Sequence, residues 1–212
     1  IKENPCARIK RLKQQKKIIY PLDDNEIKQL LNACKNYSRK SLGQRNLTMF
    51  NMMLDMGLRI SEVSNLKNKD ILENQIIIRN SKNGKDRALA ITPILKKQMI
   101  KYNRVKRNDK NKNSEYYFLS SREDEKLDEK SIFVIMQTIK KHITLRPVVR
   151  FSPHTLRHTY AHMQMRNGMD IYMLSKNMGH SSVTMTQNYL QTLKSDDFVK
   201  ESIKYSTLQN LR

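Results

Sequence analysis

The chain has 212 residues, enough for one substantial domain or one domain with an arm. Lysine and arginine number 41 against 20 acidic residues, a net charge of +21; self-repulsion of that size works against compaction and points to a polyanionic partner, nucleic acid first. Cys6 and Cys34 are too few for a disulfide framework or a cysteine metal cluster, and no apolar run approaches the ~18 residues of a membrane span.

A reducing cytoplasm is the default compartment, and no signal peptide is visible. Charge alone leaves a ribosome-bound basic protein, or simple lysine bias, open beside nucleic-acid binding.

Residues 1–20 read as a basic linker or arm: "IKENPCARIKRLKQQKK" lacks helical periodicity, and the chain begins at Ile1, as expected of a piece of something longer. A solvated tail is the alternative reading of the same residues. The first helix is predicted to start at Asp23, which has capping-box spacing to Glu26 and is followed by Ile27, Leu30, Leu31 and Cys34 at i, i+3, i+4, i+7. A second helix is predicted from about Gln44 to Met56, stopped by Gly57, with Met49, Met52, Met53 and Met56 as core filling. Arg59 then opens a short helix that buries Ile60 and Val63. An arginine at such a junction suits an inward-facing anion clamp, and Glu62 is placed to brace it; a surface ion pair is the plain alternative.

Two short apolar runs flank Asn83-Gly84, which predicts a hairpin over about 75–91 with Lys82 and Lys85 opposite each other. A lysine at a hairpin tip can reach into a site and donate a proton, and a like-charged neighbour lowers its pKa. It can equally be a solvated turn. A helix from Pro93 to about Val105, a short strand at "YYFLS" (116–120) and a helix from about Glu129 to His142 follow. Three closely spaced helices fill 154–190, and an amphipathic helix is predicted at 195–205.

"FSPHTLRHTYAH" (151–162) supplies Ser152 as N-cap and Pro153 at the first helical position. His154 then falls in the first turn and Arg157 one turn on, where the two should share a face. A helix N-terminus favours phosphate and disfavours an imidazolium, which suits His154 as a base and Arg157 as a phosphate fork. In "GHSSVTMTQNYLQ" (179–191), Gly179 ends a helix, His180 sits in the turn and Tyr189 lies about two turns into the next helix. A phenol with a pKa near 10 needs an activating environment to act as a nucleophile. Taken singly, Tyr189 reads as packing.

The segments "GLRISE", "SKNGKDR", "HTLRHT", "MGH" and "TQNYL", in this order, resemble the catalytic domain of tyrosine recombinases, the phage-integrase and Xer-type family. The nine positions from His180 to Tyr189 match the family spacing. The resemblance implies an α+β, mostly helical fold: a helical bundle with a small antiparallel sheet. It implies a catalytic domain at 21–192, an arm at 1–20 from an N-terminal core-binding domain, and a C-terminal segment at 193–212 exchanged between subunits. It also implies that Arg59 and Arg157 stabilise a phosphate transition state, Lys82 protonates the leaving oxygen, His154 moves a proton, His180 hydrogen-bonds phosphate and Tyr189 attacks. Glu62 is a supporting group and Lys85 the alternative to Lys82, because the turn here is Ser-Lys-Asn-Gly-Lys rather than the frequent Gly-Lys-Gly-Asn-Lys. His158 falls outside the catalytic positions and reads as structural.

The expected activity is site-specific cleavage and rejoining of double-stranded DNA through a 3′-phosphotyrosine, for integration or excision of a mobile element. No cofactor is expected: the cationic side chains replace a metal's charge, and the sequence offers no carboxylate cluster suited to Mg²⁺. The chain should be monomeric without DNA and tetrameric on paired sites. The alternatives are Xer-type multimer resolution, an inactive DNA-binding module of the same fold, or a type IB topoisomerase. An RNA-binding module would need aromatics on a sheet face, and the predicted strands are aliphatic.

Overall fold

The computed structural model describes residues 19–79, 86–107, 114–121, 125–180, 182–184 and 186. Helix α1 (Asp24–Lys35) begins at the expected capping box: Asp23 accepts from the Glu26 N–H, and Glu26 accepts from the Asp23 N–H at 2.9 Å. Helix α2 (Lys40–Met56) starts one turn earlier than expected. Its first turn carries no side-chain cap, so nothing in the local sequence marks the start. The rest of α2 is almost wholly enclosed. Met49, Phe50, Met52 and Met53 are fully buried, and α1, α4 and α6 pack around it.

Gly57 ends α2 in the left-handed conformation, φ 63°. A Cβ there would stand 2.3 Å from the ring of Tyr160, so both backbone angle and packing require glycine. The short helix α3 (Ile60–Ser64) follows, then a 3₁₀ turn at Asn68–Asp70.

Strands β1 (Gln75–Ile78) and β2 (Arg87–Ala90) pair antiparallel, with Gln75 opposite Ala90 and Ile78 opposite Arg87. The hairpin is therefore present in the expected region. Its register differs from the one expected: a two-residue Asn83-Gly84 turn on a regular ladder would set Ile78 opposite Leu89. A shift of two leaves each side chain on its own face, and Ile76, Ile78 and Leu89 are buried. The expected turn and its two lysines lie outside the described residues.

Helix α4 (Pro93–Arg107) runs about as expected. The strand expected at 116–120 is not one. Tyr116 and Leu119 make only isolated bridges, to Lys67 and Lys126. The segment is fixed by its rings instead: Tyr117 and Phe118 pack on each other and on Tyr102. Helix α5 (Glu129–Lys140) ends two residues before the expected His142. Helices α6 (Pro153–Arg166) and α7 (Ile171–Met178) are the first two of the three expected after residue 152. Val183, Thr184 and Thr186 are helical, and the remainder of that third helix, like the one expected at 195–205, lies outside the described residues.

The architecture is thus the expected mostly helical bundle with one small antiparallel hairpin. A large core centred on α2 joins most elements, and a smaller one (Tyr160, Ala161, Leu174, Met178) joins α6 to α7. Among the described residues no helix is long and apolar enough to cross a membrane.

Candidate active site

The ends of α2 and α7, the start of α3 and the first strand residue of β2 meet beside α6. Arg59 is the N-cap of α3. Arginine has no acceptor with which to cap a helix. Glu62, at the third helical position, reaches back instead and accepts the Arg59 N–H at 2.8 Å. The same carboxylate accepts from Arg59 Nη1 at 2.9 Å, while Nη2 donates to the Gly179 carbonyl at 3.3 Å. Glu62 thus contacts Arg59 through both its backbone and its side chain.

Ser152 caps α6, accepting from the Thr155 N–H at 3.2 Å, and Pro153 occupies the first turn. Arg157 points inward and is 3% exposed, whereas His154 is exposed, so the face they were expected to share divides between interior and surface. Nη1 of Arg157 donates to the Gly57 carbonyl at 2.5 Å, and Nη2 donates to the Met178 carbonyl. Those carbonyls stand at the C-terminal ends of α2 and α7. Such ends lack intrahelical donors and carry partial negative charge, which is why a buried guanidinium is stable there.

His180 follows Gly179, which ends α7 at φ 63°. The His180 N–H closes the turn on the Ser175 carbonyl at 3.1 Å. Its Nε2 lies 3.1 Å from Arg157 Nη2 and its Nδ1 lies 2.8 Å from Thr186 Oγ1. A guanidinium can only donate, so Nε2 accepts and the ring proton sits on Nδ1, facing Thr186. Burial, then the charges of Arg157, Arg59 and Arg87, push the His180 pKa down to about 4. The neutral ring inferred from the hydrogen bonds agrees with that direction.

Arg87, the last residue of "SKNGKDR", has no role implied by the family pattern. It is the first residue of β2, and its side chain is 10% exposed. Nη1 and Nη2 donate to the two oxygens of Glu62 at 2.8 Å each, and Nε donates to the Asn177 carbonyl at 2.7 Å. Burial works to raise the pKa of Glu62. The hydrogen bonds and charge of Arg87, with the Arg59 N–H and the Arg157 charge, outweigh it and hold the carboxyl below its ordinary range. Two guanidinium groups thus hold one carboxylate and the charge of a third, Arg157, acts on it, leaving a net positive site. The signal for Arg87 was in the alternation of its strand: an arginine on the side of Leu89, which is buried, needs an acid within the fold.

His158, read as structural, is half-buried; burial first, then His154 and Arg157, lower its pKa to about 4. The structure therefore brings Arg59, Glu62, Arg157 and His180 together, with His154 at the exposed start of the same helix as Arg157. Lys82, Lys85 and Tyr189 lie outside the described residues. Thr186, in contact with His180, is three positions before Tyr189 in the sequence.

A family model described as the phage integrase family matches residues 21–196. The chain belongs to that family. Among curated relatives, tyrosine recombinase XerA of Pyrococcus horikoshii is 26% identical over 97% of this chain and 68% of its own length. XerA of Saccharolobus solfataricus is 31% identical over 91% of this chain, and tyrosine recombinase XerC of Bacillus pumilus is 28% identical over 92%. This integrase-family chain spans 58% and 64% of those two relatives. A crystal structure of XerA recombinase matches at 26% identity and TM-score 0.75, over 89% of this chain and 65% of that one.

Proposed function

We propose that this chain is the catalytic part of a site-specific DNA recombinase that cuts and rejoins strands through a 3′-phosphotyrosine. The observation that carries the reading is the convergence of Arg59, Arg157 and His180 at the turn that ends α7, in a chain of this family. In the proposed step, the Tyr189 oxygen attacks the phosphorus and the bond to the 5′ oxygen breaks. Lys82, or in its place Lys85, gives that oxygen its proton, and a 5′-hydroxyl leaves. His154, at the exposed N-terminus of α6, takes up the phenolic proton. Arg59 and Arg157 stabilise the charge that builds on the non-bridging oxygens. The approaching phosphate raises the affinity of His180 for a second proton, so that Nε2 can donate to it. The covalent link conserves the phosphodiester's energy, and a partner strand's 5′-hydroxyl reverses the step without ATP.

The substrate class is double-stranded DNA, which the +21 charge suits, and the working assembly is a tetramer on paired sites with residues 193–212 passed to a neighbour. The biological role follows one of two lines. Integration or excision of a mobile element is our first reading, resting on the lysine-rich composition and the departure at the hairpin turn. The alternative is Xer-type multimer resolution; the curated relatives are tyrosine recombinases that carry Xer names. Attachment repeats flanking the coding region decide for the mobile element.

A nicked suicide duplex traps the intermediate. The expected result is a detergent-stable protein–DNA band from the full-length protein and none from Tyr189→Phe. No band from wild type sinks the recombinase reading in favour of an inactive DNA-binding module; a band from Tyr189→Phe assigns the nucleophile elsewhere.

A further inference from the structure

Arg87 is held in a way that no surface ion pair requires. Its fork closes on both oxygens of Glu62, and its Nε reaches the carbonyl of Asn177, two residues before Gly179. Gly179 itself leaves no space on that side: a Cβ there would lie 2.9 Å from Arg87 Nη1 and 3.3 Å from its Cζ. The guanidinium is therefore packed against the turn that presents His180, and it grips the acid that holds Arg59. Strand β2 also contacts α7.

We propose that Arg87 is a positioning residue for strand cleavage, locking the α3 start and the α7 turn in one register so that Arg59 and His180 face the same phosphate. This rests on the recombinase reading above. Arg87 does not itself take the phosphate in this role. Its two Nη atoms face Glu62 and its Nε a carbonyl, so it acts through Arg59 and His180. Glu62 is the hinge of the arrangement, because one carboxylate fixes both arginines. Losing Arg87 leaves Glu62 bound to Arg59 alone and unfastens the Asn177–Gly179 turn. Lysine at 87 keeps the charge but not the planar fork, and so cannot hold an acid and a carbonyl together.

The test uses full-length protein, single-turnover cleavage of the suicide duplex at saturating DNA, and DNA affinity measured separately. Arg87→Lys and Arg87→Gln should each slow cleavage by roughly 10- to 100-fold, the range for outer partners that orient active groups, with DNA affinity changed less than about threefold. The double variant Glu62→Gln/Arg87→Gln should be less impaired than the two single losses multiplied together, because the two residues share the Glu62–Arg87 link. Cleavage within about threefold of wild type for Arg87→Lys, additive losses in the double variant, or a loss seen only in DNA affinity overturns the proposal. A second measurement is independent of cleavage, so a wild type without activity does not remove the test. Ring-nitrogen NMR of His180 should report the Nδ1-protonated neutral form in wild type and a changed tautomer balance in Arg87→Lys. An unchanged His180 spectrum in a folded Arg87→Lys protein overturns the positioning role even if the recombinase reading stands.

Discussion

His158 and His180 are both kept neutral by burial among cations, and this has a consequence for stability. Each has a folded pKa of about 4 against an ordinary 6.5. Between those values the unfolded chain binds more protons than the folded one. Their contribution is therefore fully present above about pH 6.5 and is lost as pH falls toward about 4. Glu26 and Glu62 are lowered carboxylates, with an ordinary value of 4.5. Their contribution is lost as pH falls below that value, in a separate and lower window. Urea unfolding followed from pH 7 to pH 4 should show stability declining from about pH 6.5, and His158→Gln should flatten that decline. A flat profile down to pH 4.5 in wild type contradicts it. His158→Gln is the cleaner variant, because His158 has no proposed part in cleavage. At this scale the motifs are informative: residue type and spacing, together with the family resemblance, single out Arg59, Glu62, Arg157 and His180, and the structure places them together. Arg87 is not among them: its alternation with Leu89 marks an inward-facing arginine, but nothing local in the sequence identifies the acid it meets.

Elements here are joined at their ends as much as along their faces. The C-terminal ends of α2 and α7 converge on Arg157, and the start of α3 and the end of α7 on Arg59. Gly57 is the pivot: its left-handed backbone turns the chain from α2 to α3, its carbonyl binds Arg157, and its bare Cα admits the Tyr160 ring. Gly57→Ala should destabilise the fold by about 1–3 kcal/mol from the backbone strain, and more once the ring must move. Urea denaturation checks this. A loss below about 0.5 kcal/mol would mean that the turn has another conformation available. Helix starts with a side-chain cap, at Asp23, Asp128 and Ser152, match their expected places to within a residue or two. The uncapped start of α2 does not, and the 116–120 segment took its conformation from ring packing rather than from a ladder.

The whole chain carries twice as many basic as acidic residues, and this bears on association. With +21 on 212 residues, copies repel one another until a polyanion intervenes. We expect light scattering at physiological salt to give a monomer without DNA. A DNA-free tetramer would overturn that expectation and place the assembly contacts in the protein alone.

The sequence by itself determined the periodicity of the helices, the capped starts, the hairpin's location, the stops at Gly57 and Gly179, and the family-type pattern of arginines and histidines. These are local properties: propensity, spacing and turn chemistry act over a few residues and leave their mark in order along the chain. Only the tertiary structure decided that Arg157 turns inward while His154 stays at the surface, that His180 carries its proton on Nδ1, and that Arg87 closes on Glu62. Each of those depends on a partner beyond the local sequence: Gly57 is 100 positions from Arg157, Arg157 is 23 from His180 and Glu62 is 25 from Arg87. A buried charge is stable only where an opposite charge or a carbonyl meets it, and that meeting is made by packing rather than by spacing.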